Sequence, residues 1–86
     1  MAEPRPYESH LSREAAAFII ALSKRRQKQV LDLADQIAAH PFQIGDYQNT
    51  DANGRVIEHL LVDGYLFAFW IDHTSCEVRI TEVVRV

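Results

Sequence analysis

The dipeptide Asp63-Gly64, set between the expected strands Arg55–Val62 and Tyr65–Ile71, constrains this chain more than any other feature. A two-residue connection between strands matches their twist best as a type I′ turn, which needs positive φ at both positions, and Asp-Gly tolerates that. So short a loop also sets the register. Val62 then faces Tyr65, and stepping back pairs Leu60 with Phe67, Glu58 with Phe69 and Val56 with Ile71. The other face carries Leu61–Leu66, His59–Ala68, Ile57–Trp70 and Arg55–Asp72. The first set is the heavier apolar one and is expected to form the core. Glu58 is out of place there and requires an edge position or a partner.

A third strand is expected over Cys76–Val84, with Val78, Ile80 and Val84 at even steps and Val83 on the opposite face. Upstream, the period changes. Ser12 precedes Ala15, Phe18, Ile19 and Leu22 at helical spacing, and Ser23 precedes Val30, Leu33, Ala34, Ile37 and Ala38. Each serine suits an N-cap, so two helices joined near Ser23 explain the gap between the patterns. His40-Pro41 ends the second helix, because the residue before proline is pushed out of the helical region. Pro4 and Pro6 keep the start of the chain extended, and Tyr7–Leu11 reads as a short strand. Phe42–Gly54 reads as loop, with a weak strand around Ile44–Gln48. The expected fold is α+β: an N-terminal strand and a two-helix hairpin packed on one face of an antiparallel β-meander, residues 1–86 forming one domain.

Two helices can cover one face of a sheet. The face bearing Ile57, Leu61, Leu66 and Trp70 is therefore left open, and a contiguous apolar patch of this kind marks a partner surface. Its polar members are Arg55, His59, Asp72, Arg79, Thr81 and Arg85, with Arg55 and Asp72 placed for a cross-strand ion pair. His59 among arginines is a candidate proton shuttle on a phosphodiester, against the simpler reading of a half-exposed sheet histidine. Trp70 is a candidate base-stacking platform, against an interface anchor. Asp72-His73 sits in a turn, where Asp caps backbone amides. Lys24-Arg25-Arg26-Gln27-Lys28 can hold phosphates, although such a run is more often a solvated helix turn.

Composition narrows the classes. The net charge is −3, with residues 1–39 at +1 and residues 40–86 at −4, which disfavours bulk electrostatic binding to nucleic acid. The single cysteine, Cys76, excludes an internal disulfide framework and fits a reducing, cytoplasmic setting. His10, His40, His59 and His73 lack ligand spacing, and there is no glycine-rich phosphate loop, so no metal site and no cofactor are expected. The longest apolar runs, Ala15–Leu22 and Tyr65–Ile71, fall well short of the roughly 20 residues of a membrane span, and Met1–Pro6 has no leader pattern.

Several short stretches in order resemble the RelE/ParE superfamily, the toxins of type II toxin–antitoxin modules. They are the helix–Pro junction at His40-Pro41, Gly45-Asp46-Tyr47-Gln48, Gly54-Arg55, Asp63-Gly64-Tyr65, Trp70, Asp72-His73, Glu77-Val78-Arg79-Ile80 and a last strand ending at Arg85. The resemblance implies a toxin neutralised by a cognate antitoxin protein. It further implies a candidate mRNA interferase, an endoribonuclease acting on mRNA at the ribosome through 2′-OH attack on the neighbouring phosphate. That reaction requires a base, cations and an acid. Where the superfamily carries a lysine pair this chain has Ile57 and His59, and Leu66 replaces an arginine. Arg85 matches a catalytic arginine. On this resemblance His59 and Arg85 are the catalytic candidates, and Arg55 and Arg79 the RNA phosphate contacts. Two other readings stay open: a non-catalytic member of the fold that binds an antitoxin or a second copy of itself, and a gyrase-directed poison.

Overall fold

The computed structural model describes residues 6–86; Pro4 lies outside them. The elements are β1 (Glu8–Leu11), α1 (Arg13–Ile20), α2 (Lys24–Ala39), β2 (Tyr47–Thr50), β3 (Val56–Val62), β4 (Tyr65–Asp72) and β5 (Glu77–Arg85). One five-stranded sheet has the order β1-β5-β4-β3-β2. Neighbours pair antiparallel except β1, which runs parallel to β5. The N-terminal strand is thus an edge of the sheet, and the meander is part of a mixed sheet.

Local chemistry accounts for the helix boundaries. The Ser12 hydroxyl accepts the Ala15 amide at 3.0 Å, and that of Ser23 accepts the Arg26 amide at 3.4 Å. Each satisfies one of the amides that a helix start leaves free. Gln27 clasps the joint, its Nε2 donating to the carbonyls of Ile20 and Leu22. Helix α2 stops at Ala39, with His40 as C-cap before Pro41. Ala15, Ile19, Val30, Leu33, Ala34, Ile37 and Ala38 are all buried against Tyr65, Phe67, Phe69, Val78, Ile80 and Val83.

The hairpin is built as the Asp-Gly turn requires. Asp63 and Gly64 have φ of 51° and 83°, and the ladder runs from Val62–Tyr65 to Glu58–Phe69. Beyond that rung β3 and β4 part around a cleft of about 320 Å³ lined by Arg55, Val56, Glu58, Trp70, Ile71 and His73. Val56, expected in the core, is 53% exposed. Glu58 has found its partners: Oε1 accepts the Gly45 amide at 2.7 Å and Gln48 Nε2 at 2.9 Å. The weak strand expected around Ile44–Gln48 is the edge strand β2, shifted to Tyr47–Thr50.

The largest departure lies in β5. Its pairing with β4 slips between Ala68 and Phe69: Phe69 faces Ile80, whereas Ala68 faces Glu82. Thr81 is the extra residue of a β-bulge, which reverses the alternation of everything after it. Val83 therefore faces Phe67 in the core, and Val84 faces Leu66 on the open side, the reverse of the even-step expectation. The bulge is tied down on both sides. The Thr81 hydroxyl donates to the Ala68 carbonyl at 3.2 Å, and the Thr81 carbonyl accepts the Ser12 hydroxyl at 2.7 Å.

Candidate functional site

The side of the sheet away from the helices is a set of rows. Val84, Leu66 and Leu61 form one; Glu82, Ala68, His59 and Tyr47 the next; His10, Arg79 and Trp70 a third. Asn49 lies across from Ile57. The parting of β3 and β4 leaves the indole of Trp70 between two guanidinium groups. The Arg55 carbon is 4.4 Å from the ring centroid and the Arg79 carbon 5.6 Å. Such cations lie favourably over an indole.

Both arginines are already held by carboxylates. Arg55 Nε donates to Asp51 Oδ2 at 2.9 Å, and Arg79 Nη2 donates to Glu77 Oε1 at 2.6 Å. The expected pairing of Arg55 with Asp72 does not form, because Asp51 reaches Arg55 first from the turn just before it. Asp72 Oδ2 instead lies 3.7 Å from Arg79 Nε, a buried nitrogen without a hydrogen-bond partner, while Asp72 Oδ1 accepts the Ser75 amide in the turn. His10 Nε2 contacts the second oxygen of Glu77 at 2.6 Å. Asp51 also accepts the backbone amides of Arg55 and Asn53, and the Arg55 amide is the first cause holding its carboxyl below the ordinary value. Asp72, Glu77 and Glu82 share this face with Arg55 and Arg79, so it is not a basic platform.

His59 is positioned by the edge strand. Its ring stacks on Tyr47 at 4.4 Å and 6°, and Nε2 lies 2.6 Å from Asn49 Oδ1. The segment before β2 makes this placement possible. The Asp46 amide donates to the His59 carbonyl at 2.7 Å, and Asp46 Oδ2 accepts the Leu61 amide at 2.7 Å. A Cβ on Gly45 would sit 2.6 Å from the His59 carbonyl oxygen, so only glycine fits so close to β3. Gly45-Asp46-Tyr47-Gln48 is thus the fastening that holds β2 and the His59 ring.

The structure brings Arg55, Arg79, Trp70 and His59 to one face and separates Arg85 from them. Past the bulge, Arg85 stands across from Tyr65, whose ring packs edge-on against Phe18 of α1, 6.3 Å between centroids. It therefore belongs to the helix side. The apolar patch is also smaller than expected. Leu61 is 54% exposed and Leu66 and Trp70 are half-buried, but Ile57 is only 8% exposed. With no helix on this side, its own long side chains do the covering. His73 lies at the end of the sheet, stacked on Phe42 with centroids 5.3 Å apart and its Nδ1 2.8 Å from the Tyr7 hydroxyl. Among the described residues no group of three or more His, Cys, Asp or Glu side chains could hold a metal ion. Among the described residues no helix is long and apolar enough to cross a membrane.

No protein-family model and no curated protein matches this sequence. Solved structures do. A chain of the toxin–antitoxin complex RelBE2 from Mycobacterium tuberculosis matches with a TM-score of 0.76 at 18% identity, over 95% of this chain and 100% of that one. A chain of the archaeal RelE–RelB complex from Pyrococcus horikoshii OT3 matches with a TM-score of 0.68 at 11% identity, over 94% of this chain and 96% of the other. The chain has the RelE fold. Within that fold three residues that matter to the open face escaped the reading by residue type: Asp51, Tyr47 and Asn49. Asp51 had a local signal, an Asp at the head of a Gly-containing turn. Tyr47 and Asn49 had none, because their role depends on which strand β2 pairs with.

Proposed function

We propose that this chain is the toxin-fold member of a toxin–antitoxin pair and that its open sheet face receives a cognate antitoxin protein. The observation that carries the reading is the RelE fold, found in chains of two toxin–antitoxin complexes, together with a sheet face that no helix covers. The row of Val84, Leu66 and Leu61 supplies the apolar anchor, with Trp70 beside it; Ile57 supports the face from beneath. Glu82 in the next row, with Asp72 and Glu77 toward the far end of the same face, suits a partner segment carrying Lys or Arg.

Endonucleolytic cleavage of mRNA is the second reading. It would use His59 as proton shuttle and Arg55 and Arg79 as phosphate contacts on the same face, without Arg85. Against it stand the carboxylates on both arginines and the engagement of His59 Nε2 with Asn49, which RNA would have to displace.

Inducible expression of the chain alone, and with the product of an adjacent small gene, tests both readings. Growth arrest relieved by the second protein, with a purified complex weakened by Leu61→Asp, is the expected result. Normal growth at verified protein levels together with no complex would overturn the proposal. Arrest that His59→Ala abolishes, with mRNA cleavage lost alongside, would favour the nuclease reading.

A further inference from the structure

Strand β1 forms one edge of the sheet. The amides of Glu8 and Ser12 donate to the Cys76 and Ile80 carbonyls of β5. Backbone groups alternate in direction along a strand, so the amide and carbonyl of Ser9, like those of Tyr7 and Leu11 beside it, turn to the free edge. A groove of about 710 Å³, lined in part by Tyr7, Ser9, Asp35, Ala38, Ala39 and Phe42, runs along that edge and leaves room for another strand. The side chains here carry an imbalance. Glu8 stands directly across from Glu77, a like-charge pair. Both oxygens of Glu77 are taken, one by Arg79 and one by His10, each at 2.6 Å. Glu8 has no cation within ion-pair distance among the described residues. At the other edge, β2 carries no charged side chain at all.

We propose that β1 pairs antiparallel with β1 of a second copy of this chain, across a two-fold axis at Ser9, so that two five-stranded sheets become one. The register follows from the residues. Centred on Ser9, the pairing sets that residue against its own counterpart, each amide donating to the other's carbonyl, and sets Tyr7 against Leu11 on either side. Glu8 then lies across from His10 of the second copy. That is a non-hydrogen-bonded pair, in which side chains come closest. The two-fold gives both copies the same contact, so the unpaired carboxylate of each meets an imidazole. No other centre does this. One at Glu8 or His10 would use backbone groups already turned to β5, one at Tyr7 would set Glu8 against Pro6, and one at Leu11 would set His10 against Ser12. One opposing charge is built in. The Ser9 hydroxyl lies 3.4 Å from Asp35 Oδ1, so the axis brings two Asp35 carboxylates toward each other. The edge is short, and the dimer is accordingly weak. This pairing does not depend on the toxin–antitoxin reading, because it uses the sheet edge rather than the row of Val84, Leu66 and Leu61.

Sedimentation equilibrium on the purified chain, from about 5 to 500 µM, tests it. A reversible monomer–dimer equilibrium is expected. Ser9→Pro deletes the outward amide while leaving the bonds to β5 in place, and should weaken association about tenfold or more. Ser9→Ala removes only the hydroxyl and should leave the dimer intact. Glu8→Lys relieves the repulsion from Glu77 within the chain, yet should weaken the dimer, and Glu8→Lys combined with His10→Glu should restore it. Asp35→Asn should tighten it. Position is checked by oxidation in a Cys76→Ser background. Ser9→Cys should crosslink two copies, since paired Cα atoms about 5.5 Å apart lie within disulfide reach, whereas His10→Cys should not. A strictly monomeric chain over the whole range would overturn the proposal. A dimer that survives Ser9→Pro but is lost in Leu61→Asp would overturn it too, by placing the contact on the open face. Crosslinking through His10→Cys rather than Ser9→Cys would refute the register.

Discussion

The two faces of β4 are built from alternate residues of one strand and are protected from water in different ways. Tyr65, Phe67 and Phe69 are sealed by two helices that another part of the chain supplies. Leu66, Ala68 and Trp70 have no such cover, yet Ala68 is buried and Trp70 half-buried. The open face shields itself with long side chains, arginine over indole and tyrosine against histidine. Apolar packing under a helix is dense and unforgiving. A layer of charged side chains laid flat on a sheet can be lifted by a partner at modest cost. That contrast is why the helix face reads as stability and the open face as recognition.

Deleting core mass should break the comparison most visibly. Phe67→Ala removes a fully buried ring and should cost about 3–5 kcal/mol, enough to unfold much of a domain this small, as measured by denaturant titration. Gly45→Ala places a methyl group against the His59 carbonyl and should cost about 1–3 kcal/mol. In an NMR comparison its shifts should concentrate in β2 and β3 rather than under the helices. Trp70→Ala, on the self-covered face, should cost about 1–2 kcal/mol, less than the Phe67 change despite the larger side chain. A loss equal to that of Phe67→Ala would show that both faces are core. Leu61→Ser should stay within about 0.5 kcal/mol of the parent while weakening any partner complex.

The smallest effect is a pH dependence. The Asp51 carboxyl is held below its ordinary 3.8, chiefly by the Arg55 amide. A lowered folded value means its contribution is present above 3.8 and is lost as pH falls through that lowered value. Asp51→Asn should therefore flatten the acid limb of a melting-temperature profile below that point and leave the neutral region little changed in slope.

The helix starts at Ser12 and Ser23, the stop at His40-Pro41 and the Asp63-Gly64 turn are all written in a few adjacent residues, and each is found where those residues place it. The need of Glu58 for an edge partner was legible too, because a carboxylate at an apolar position must be satisfied. The candidate site was legible only up to Arg79. Strict alternation carried Arg85 and Val83 to the open face, and the bulge moved both away. Nothing in Arg79-Ile80-Thr81-Glu82 announces that slip locally. It is stabilised by Ser12 and Ala68, which are distant in the chain.

What the sequence determined by itself is therefore the set of elements, their caps and the one hairpin register, since each depends on local backbone conformation and on a period of 3.6 or 2. What only the tertiary structure decided is which cations keep company with carboxylates and which do not. Arg55 and Arg79 were claimed by Asp51 and Glu77, while Arg26 and Arg85 met around Tyr65. A one-residue slip in a strand exchanges its faces, and no local pattern can report a slip whose supporting hydrogen bonds come from elsewhere in the fold.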